Sequence, residues 1–275
     1  MIVGETVSWE GAGSSKEKPP MKRLSLIILA ILFLITPHTI QSQSGIPFAP
    51  DNAIWIVQLN QIGDGYLNEF TYSPDAQTIV FAGSLGLWRF DVTTPDIPPQ
   101  RIGDKALYAV RYNTSGTRIA TGGVNGIVEI WDTSTWTVLF TITVHTHAVR
   151  QIAFSPDDTE LVAIAGDMVK ILDVQTGETL HELTGHKRPI YDVAYSPDGT
   201  QIATASFDDT VNIWDSRTGN VITTITENTE SVLCVKYNPE GNLVASSSYD
   251  GMVRVFDSVT GELLQTLEGQ TEVPY

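Results

Sequence analysis

Residues 184–225 read TGHKRPIYDVAYSPDGTQIATASFDDTVNIWDSRTGNVITTI, and they show most clearly which fold the chain adopts. Apolar and polar residues alternate in residues 190–195, where β-branched and aromatic types are frequent, and this pattern predicts a β-strand. Similar patterns predict three more strands, at residues 201–206, 211–214 and 220–225. The segments between them are rich in Pro, Asp, Ser and Gly, which favour tight turns. The stretch therefore predicts four short strands in succession.

The third of these strands ends in an apolar residue followed by Asp, and that pair recurs along the chain. The pairs are Phe90-Asp91, Trp131-Asp132, Leu172-Asp173, Trp214-Asp215 and Phe256-Asp257, at intervals of 41, 41, 42 and 42 residues. A fixed period of this length is typical of repeat proteins, in which each unit buries its apolar face against its neighbours. Four strands in each repeat of this length predict one blade of a β-propeller.

With these repeats, the chain resembles the WD-repeat β-propeller family over about residues 53–275. The resemblance implies an all-β fold, a β-propeller of four-stranded antiparallel blades. About five blades are present, and they would form an incomplete part of a seven-bladed ring, since seven is the usual number in the family. The five units are approximately residues 61–100, 101–142, 143–183, 184–225 and 226–268.

The resemblance also assigns a role to four polar or aromatic side chains in each unit. In the family, a His before the first strand, a Ser or Thr in the second, an Asp in the tight turn and the Trp of the third form a hydrogen-bonded chain. The fourth unit matches all four positions, with His186, Thr204, Asp208 and Trp214. The other units match in part, with Thr121 and Trp131, with His145, and with Ser246 and Asp250. We therefore expect these residues to brace a blade and not to catalyse a reaction, and we expect stability to depend more on packing.

The composition excludes several classes of function. The 275 residues carry 16 basic and 32 acidic side chains, a net charge of −16, which disfavours nucleic acid as a partner. The single cysteine, Cys234, lies in an apolar run and is expected to be buried and inert. The pair His145 and His147 lacks a recurring third ligand for a metal. We expect no catalytic residue, no cofactor and no metal.

The N-terminal region has the form of a secretory signal peptide. Met21-Lys22-Arg23 precedes a nearly unbroken apolar run, residues 24–35, which is too short to span a bilayer comfortably. We expect an exported protein of a bacterial type, periplasmic or extracellular; if the segment is not cleaved, residues 22–36 would anchor it in a membrane. The predicted regions are a mis-called extension at residues 1–20, a signal peptide or anchor at 21–44, a linker at 45–52 and the propeller at 53–275.

The two ends of the propeller region do not match each other. Residues 54–59 repeat the pattern of an outer strand, but every set of three inner strands already has an outer strand of its own. Residues 269–275 repeat the start of a further unit and then stop. We expect a truncated propeller whose open edges allow self-association.

In WD-repeat proteins, partners dock on the narrow face of the ring, and the resemblance carries this face over by position. The positions are Tyr66, Asn68, Ala106, Tyr108, Val124, Ala148, Arg150, Pro189, Tyr191, Phe207, Ser231, Leu233 and Tyr249. The candidate partner-binding residues among them are Tyr66, Tyr108, Arg150, Tyr191, Phe207 and Tyr249, because Tyr and Arg are frequent at binding hot spots. An alternative is that the rings only pack between blades.

The resemblance implies a non-catalytic scaffold that binds a protein or peptide. One alternative is a sensor or regulatory domain of a larger protein. Another is a hydrolase or lyase with its site in the central channel, which the residues favour less because blade bracing already explains the polar groups.

Overall fold

The computed structural model describes residues 65–268, which form twenty β-strands. Blade one contains β1 (Leu67–Tyr72), β2 (Thr78–Gly83), β3 (Gly86–Asp91) and β4 (Gln100–Gly103). Blade two contains β5 (Leu107–Tyr112), β6 (Arg118–Gly123), β7 (Ile127–Asp132) and β8 (Thr137–Thr143). Blade three contains β9 (Val149–Phe154), β10 (Glu160–Ala165), β11 (Met168–Asp173) and β12 (Thr179–Leu183). Blade four contains β13 (Ile190–Tyr195), β14 (Gln201–Ser206), β15 (Val211–Asp215) and β16 (Val221–Ile225). Blade five contains β17 (Val232–Tyr237), β18 (Leu243–Ser248), β19 (Met252–Asp257) and β20 (Leu263–Glu268).

Each blade is one antiparallel sheet in which strands that are consecutive in sequence are neighbours. The predicted all-β fold of four-stranded antiparallel blades is confirmed. In blade four, Ile190–Tyr195 and Gln201–Ser206 agree with the prediction to the residue, and the other two strands differ by one residue at one end. Strand β4 continues to Gly103, three residues beyond the end predicted for unit one.

The apolar core lies between neighbouring blades. One buried cluster joins Ala205 and Ile213 of blade four to Val235 and Phe256 of blade five, and similar clusters join the other neighbours. Burying a side chain such as Phe256, which is fully buried, stabilises the fold by roughly 1.5–3 kcal/mol. This arrangement explains why blades with incomplete polar chains still fold.

Carboxylates add polar links from one blade to the next. Glu69 accepts a hydrogen bond from the backbone N–H of Val110, at 2.8 Å, and Asp192 accepts one from Val235, at 3.0 Å. Both bonds join the innermost strands of neighbouring blades: Glu69 links blades one and two, and Asp192 links blades four and five. Lys236 donates a second bond to Asp192, at 2.7 Å. The innermost strands are therefore fixed to one another by more than apolar packing.

Several predictions concern residues outside 65–268. The extension, the signal segment, the linker, the outer strand at 54–59 and the partial unit at 269–275 all lie outside the described residues. Within the part of the chain that the structure describes, no helix is long and apolar enough to cross a membrane.

Candidate functional site

One end of the strands carries both the connections between blades and the turns between second and third strands, and we call this end the narrow face. Its position follows from the antiparallel order, because each first strand begins and each second strand ends there. In blade four it contains the connection at residues 184–189 and the turn at residues 207–210. The predicted site residues of that blade all lie in or beside these two segments or on the strands below them.

The structure brings His186, Thr204, Asp208 and Trp214 together in one hydrogen-bonded chain. Trp214 Nε1 donates to Thr204 Oγ1 at 2.8 Å, and Thr204 Oγ1 lies 2.7 Å from His186 Nε2. His186 Nδ1 lies 3.0 Å from Asp208 Oδ2. A neutral imidazole with its proton on Nδ1 satisfies every step, since Thr204 then donates to Nε2 and His186 donates to Asp208. We call this set the blade-four brace.

The electrostatics of the brace agree with a neutral histidine. Burial of the imidazole outweighs the attraction of Asp208 and holds the pKa of His186 below its ordinary value. Burial alone would raise the pKa of Asp208, but hydrogen bonds from Thr210 and from the backbone of Lys187 hold it below its ordinary range. The His186 side chain is fully buried, and each of its ring nitrogens lies within hydrogen-bond distance of a brace partner.

The other blades contain only parts of the brace. In blade two, Trp131 Nε1 donates to Thr121 Oγ1 at 3.1 Å, but no histidine completes the chain. In blade three, His145 does not reach the second strand; its Nδ1 lies 2.8 Å from Nδ1 of His147, and the two rings stack. Among residues 65–268, no group of three or more side chains could hold a metal ion there or elsewhere.

Blade five replaces the brace with a different polar set. Asn228 Oδ1 accepts hydrogen bonds from Ser246, at 3.1 Å, and from Arg254, at 3.3 Å. Arg254 also pairs with Asp250 at 2.8 Å. Phe256, in the place of the tryptophan, is fully buried. The same strand framework therefore accepts different polar groups beneath the narrow face.

The predicted face residues of blades four and five form one aromatic group, which we call the aromatic cluster. The rings of Tyr191 and Phe207 lie 4.5 Å apart, and those of Phe207 and Tyr249 lie 6.1 Å apart. Tyr191 is 37% exposed, and the other two rings are half-buried. The cluster spans two blades and presents ring surface to solvent.

Tyr191, the first residue of the aromatic cluster, lies at a β-bulge. The pairing of β13 with β14 shifts between Ile190 and Asp192, so that Tyr191 has no partner of its own in the ladder. The same shift occurs on every innermost strand, at Asn68, Tyr108, Arg150 and Leu233. Bulges re-aim a side chain and are frequent beside functional sites. All five bulged residues belong to the set carried over from the sequence.

The remaining predicted face residues form a second, smaller group or stand alone. Arg150 of blade three lies over the ring of Tyr108 of blade two, 5.2 Å from its centroid. Tyr66 is 59% exposed, and among residues 65–268 no ring contact joins it to Tyr108 or to the aromatic cluster. The structure therefore groups five of the six candidates and leaves Tyr66 apart.

Sequence analysis missed Arg188, which is the cation beside the aromatic cluster. Its guanidinium lies 5.2 Å from the centroid of Phe207, and its Nη1 donates to the Phe207 carbonyl at 3.0 Å. The only available signal was its place in the connection three residues before Tyr191. Arg188 therefore adds a cation to the aromatic cluster, and Arg is a residue type enriched at interfaces.

Cys234 differs from the expectation of a fully buried thiol. It is half-buried, since it occupies the innermost strand of blade five beside the bulge. Burial, followed by the nearby negative charge of Asp192, raises the pKa of the thiol to about 11. The thiol is therefore protonated at neutral pH, which makes it a poor nucleophile.

Comparison with known proteins agrees with this geometry. The family model described as "WD domain, G-beta repeat" (WD40) matches residues 99–132, 136–171, 177–215 and 219–257. The chain is similar to a protein in the crystal structure of the Mitotic Checkpoint Complex, with a TM-score of 0.69 and 22% identity, over 75% of this chain and 65% of that one. That likeness concerns the fold alone.

Curated relatives are similar over shorter stretches. The Set1 complex component swd1 of Schizosaccharomyces pombe is 39% identical over 59 residues, which are 22% of this chain and 15% of that protein. The U5 small nuclear ribonucleoprotein 40 kDa protein of Homo sapiens is 27% identical over 64 residues, 23% of this chain and 18% of that protein. The alignments thus span less than a fifth of each relative. The four matched repeats together cover more than half of the chain, and the chain belongs to the WD40 repeat family.

Proposed function

We propose that this protein is a non-catalytic scaffold that binds a protein or peptide through the aromatic cluster on its narrow face. The observation that carries the proposal is the group Tyr191, Phe207 and Tyr249, which crosses two blades and has Arg188 over its central ring. Large rigid rings lose little conformational entropy on binding, and Tyr and Arg are enriched among hot-spot residues. The two curated relatives described above are named as parts of complexes, which supports a role in assembly.

The surface is suited to a partner and not to a reaction. Two titratable groups of the same blade, His186 and Asp208, are used in the blade-four brace. A reaction would need an acid and a base that converge on one accessible position. We therefore propose a binding role without chemistry for this face.

Replacing all three rings with alanine tests the proposal. The variant carries Tyr191→Ala, Phe207→Ala and Tyr249→Ala, and partners captured by the full-length protein are quantified by mass spectrometry. The matched control carries Leu180→Ala, Val221→Ala and Ile222→Ala, which remove exposed apolar side chains from the outer strands of blades three and four. We expect the ring variant to lose partners that the control retains, with circular dichroism unchanged in both. Identical partners for the two folded variants would refute the assignment.

We also propose that two copies of the protein associate through the side of blade five that carries Leu267. Leu267 is 46% exposed, whereas Leu183 and Ile225, which occupy the same place in blades three and four, are buried by the following blade. We expect the molar mass measured by light scattering to rise with concentration and the substitution Leu267→Glu to suppress the rise. A mass that does not depend on concentration would contradict this proposal.

Export remains a proposal that rests on the sequence of residues 21–44. The relatives named above are eukaryotic, and they lend no support to a bacterial type. A fusion of residues 1–52 to a reporter would test export, and we expect the reporter outside the cytoplasm. A reporter retained in the cytoplasm would refute it.

A further inference from the structure

The connection into blade two is shorter than the other connections between blades. Three residues, 104–106, join β4 to β5, whereas five residues join β8 to β9 and six join β12 to β13 and β16 to β17. In blade four, the six-residue connection carries His186 over Thr204. The three-residue connection has no histidine to place over Thr121, so the space above Trp131 is not filled in the same way.

A cavity of about 550 Å³ opens at this place. Its walls include the apolar side chains Leu107, Trp131 and Val138 and the charged side chains Lys105 and Glu129. This volume lies within the usual range for a small-molecule or side-chain pocket. The cavity is separate from the aromatic cluster, so the inference does not rest on the proposed function.

Glu129 is the buried charge of the cavity. It lies on β7 and is 5% exposed, and Lys105 pairs with its Oε1. Among residues 65–268, no group donates a hydrogen bond to its Oε2. A buried carboxylate is stable only when it is paired, and each oxygen can accept more than one bond. The carboxylate therefore has an acceptor position left over on the cavity side.

Lys105 approaches Glu129 from the solvent side. Its side chain is 56% exposed, whereas that of Glu129 is 6% exposed. The other cation of the cavity wall, Arg101, is turned to the backbone, where it donates to the carbonyls of Gly103, at 3.3 Å, and Asp104, at 3.5 Å. The carboxylate is thus buried, whereas its present partner is in contact with solvent.

We propose that this cavity binds an arginine side chain of a partner, with its guanidinium on Glu129 in place of the Lys105 ammonium. A guanidinium donates two parallel hydrogen bonds to the two oxygens of a carboxylate, which a single ammonium cannot do with the same geometry. The methylene stem of the arginine would lie against Trp131, Val138 and Leu107. An anionic ligand is disfavoured, because it would be placed beside the buried carboxylate of Glu129.

The test uses the full 275-residue chain and two peptides, acetyl-Gly-Arg-Gly-amide and the same peptide with citrulline, which has the same shape but no charge. Binding is followed by the NMR signal of the Trp131 indole N–H, because Trp131 lines the cavity. We expect saturable shifts with the arginine peptide only. Glu129→Gln should weaken binding at least about tenfold, because it removes the charge that the guanidinium pairs with.

The two cavity variants, Lys105→Ala and Glu129→Gln, should change the affinity for the arginine peptide in opposite directions. Lys105→Ala removes the competing cation from the surface and should tighten arginine binding about threefold or more, whereas Glu129→Gln weakens it. Glu182→Gln and Lys187→Ala are the matched controls on blades three and four and should change nothing. Equal binding of the citrulline peptide, no binding of either peptide, or weaker binding by Lys105→Ala would each overturn the proposal.

Discussion

Blade four and blade two contain the same four strands but differ at the narrow face. In blade four, the connection places His186 between Thr204 and Asp208, and the polar chain from Trp214 is complete. In blade two, the chain stops at the bond between Trp131 and Thr121, and a cavity lies above it. The equivalent strands thus form in both blades, whereas the length and the residues of the connection differ between the blade with the complete brace and the blade with the cavity.

The comparison predicts its largest effect for the two tryptophans. Trp214 is 1% exposed and Trp131 is 7% exposed beside the cavity. Trp214→Ala should lower the free energy of unfolding by about 3–5 kcal/mol, because it leaves a cavity in the core. Trp131→Ala should lower it less, since part of that ring already faces open space. Both losses in the free energy of unfolding are measured by chemical denaturation. A loss for Trp131→Ala that equals or exceeds the loss for Trp214→Ala would contradict this prediction.

Removing the histidine should have the next largest effect. His186→Ala removes the acceptor of the buried Thr204 hydroxyl and one of the donors to the Asp208 carboxylate, and we expect a loss of about 1–3 kcal/mol in the free energy of unfolding. The control is Asp104→Ala, in the exposed connection of blade two, where we expect a change within about 0.5 kcal/mol. Similar values for the two variants would show that the brace adds no stability.

The brace also predicts how stability depends on pH. The pKa of His186 in the folded protein lies below the ordinary value of 6.5, so the unfolded chain takes up a proton first as the pH falls. The stabilisation is therefore complete above about pH 6.5 and is lost as the pH falls from there through the folded pKa. Denaturation at pH 7, 6 and 5 should show this loss in the native chain.

His186→Asn should make that pH dependence shallower, because the substituted side chain does not titrate. The variant His147→Asn is the control, since His147 is exposed and lies outside the brace. We expect its slope to match that of the native chain. A native slope that persists in His186→Asn would assign the pH dependence to another group.

The smallest effect should come from Arg188. Arg188→Gln removes the cation over Phe207 and one hydrogen bond to a backbone carbonyl, and we expect a loss of about 0.5–1 kcal/mol in stability. Lys187→Gln, which replaces the neighbouring cation, should stay within about 0.5 kcal/mol. A larger loss for Lys187→Gln would show that charge in this connection matters more than the contact with the ring.

The strands could be predicted because their signals are local, whereas the brace was implied by the resemblance to the WD-repeat family. Alternation of apolar and polar residues marked Ile190–Tyr195 and Gln201–Ser206, and the repeat period aligned the units. The face positions assigned from the family resemblance include Tyr108 and Tyr191, because the bulges at these residues recur at the same place in each blade.

The contacts of long side chains could not be predicted from the sequence. The pair of Lys105 and Glu129 joins residues 24 positions apart, and it exists because one connection is short. The contact of Arg188 with Phe207 depends on the rotamers of a flexible side chain. Cys234 lies in an apolar run, but the bulge beside it leaves the thiol half-buried. These features depend on tertiary geometry that no periodic pattern encodes.

The most direct test of the comparison is the removal of one hydroxyl group from each blade. Thr204 Oγ1 bonds to both Trp214 and His186, whereas Thr121 Oγ1 bonds to Trp131 and has no histidine partner. The free energies of unfolding of Thr204→Val and Thr121→Val are measured by chemical denaturation, since valine keeps the shape of threonine. We predict that Thr204→Val loses about 1 kcal/mol more than Thr121→Val, because one further buried hydrogen bond is broken. Equal losses of unfolding free energy for Thr204→Val and Thr121→Val would show that the bond to His186 adds no stability to blade four.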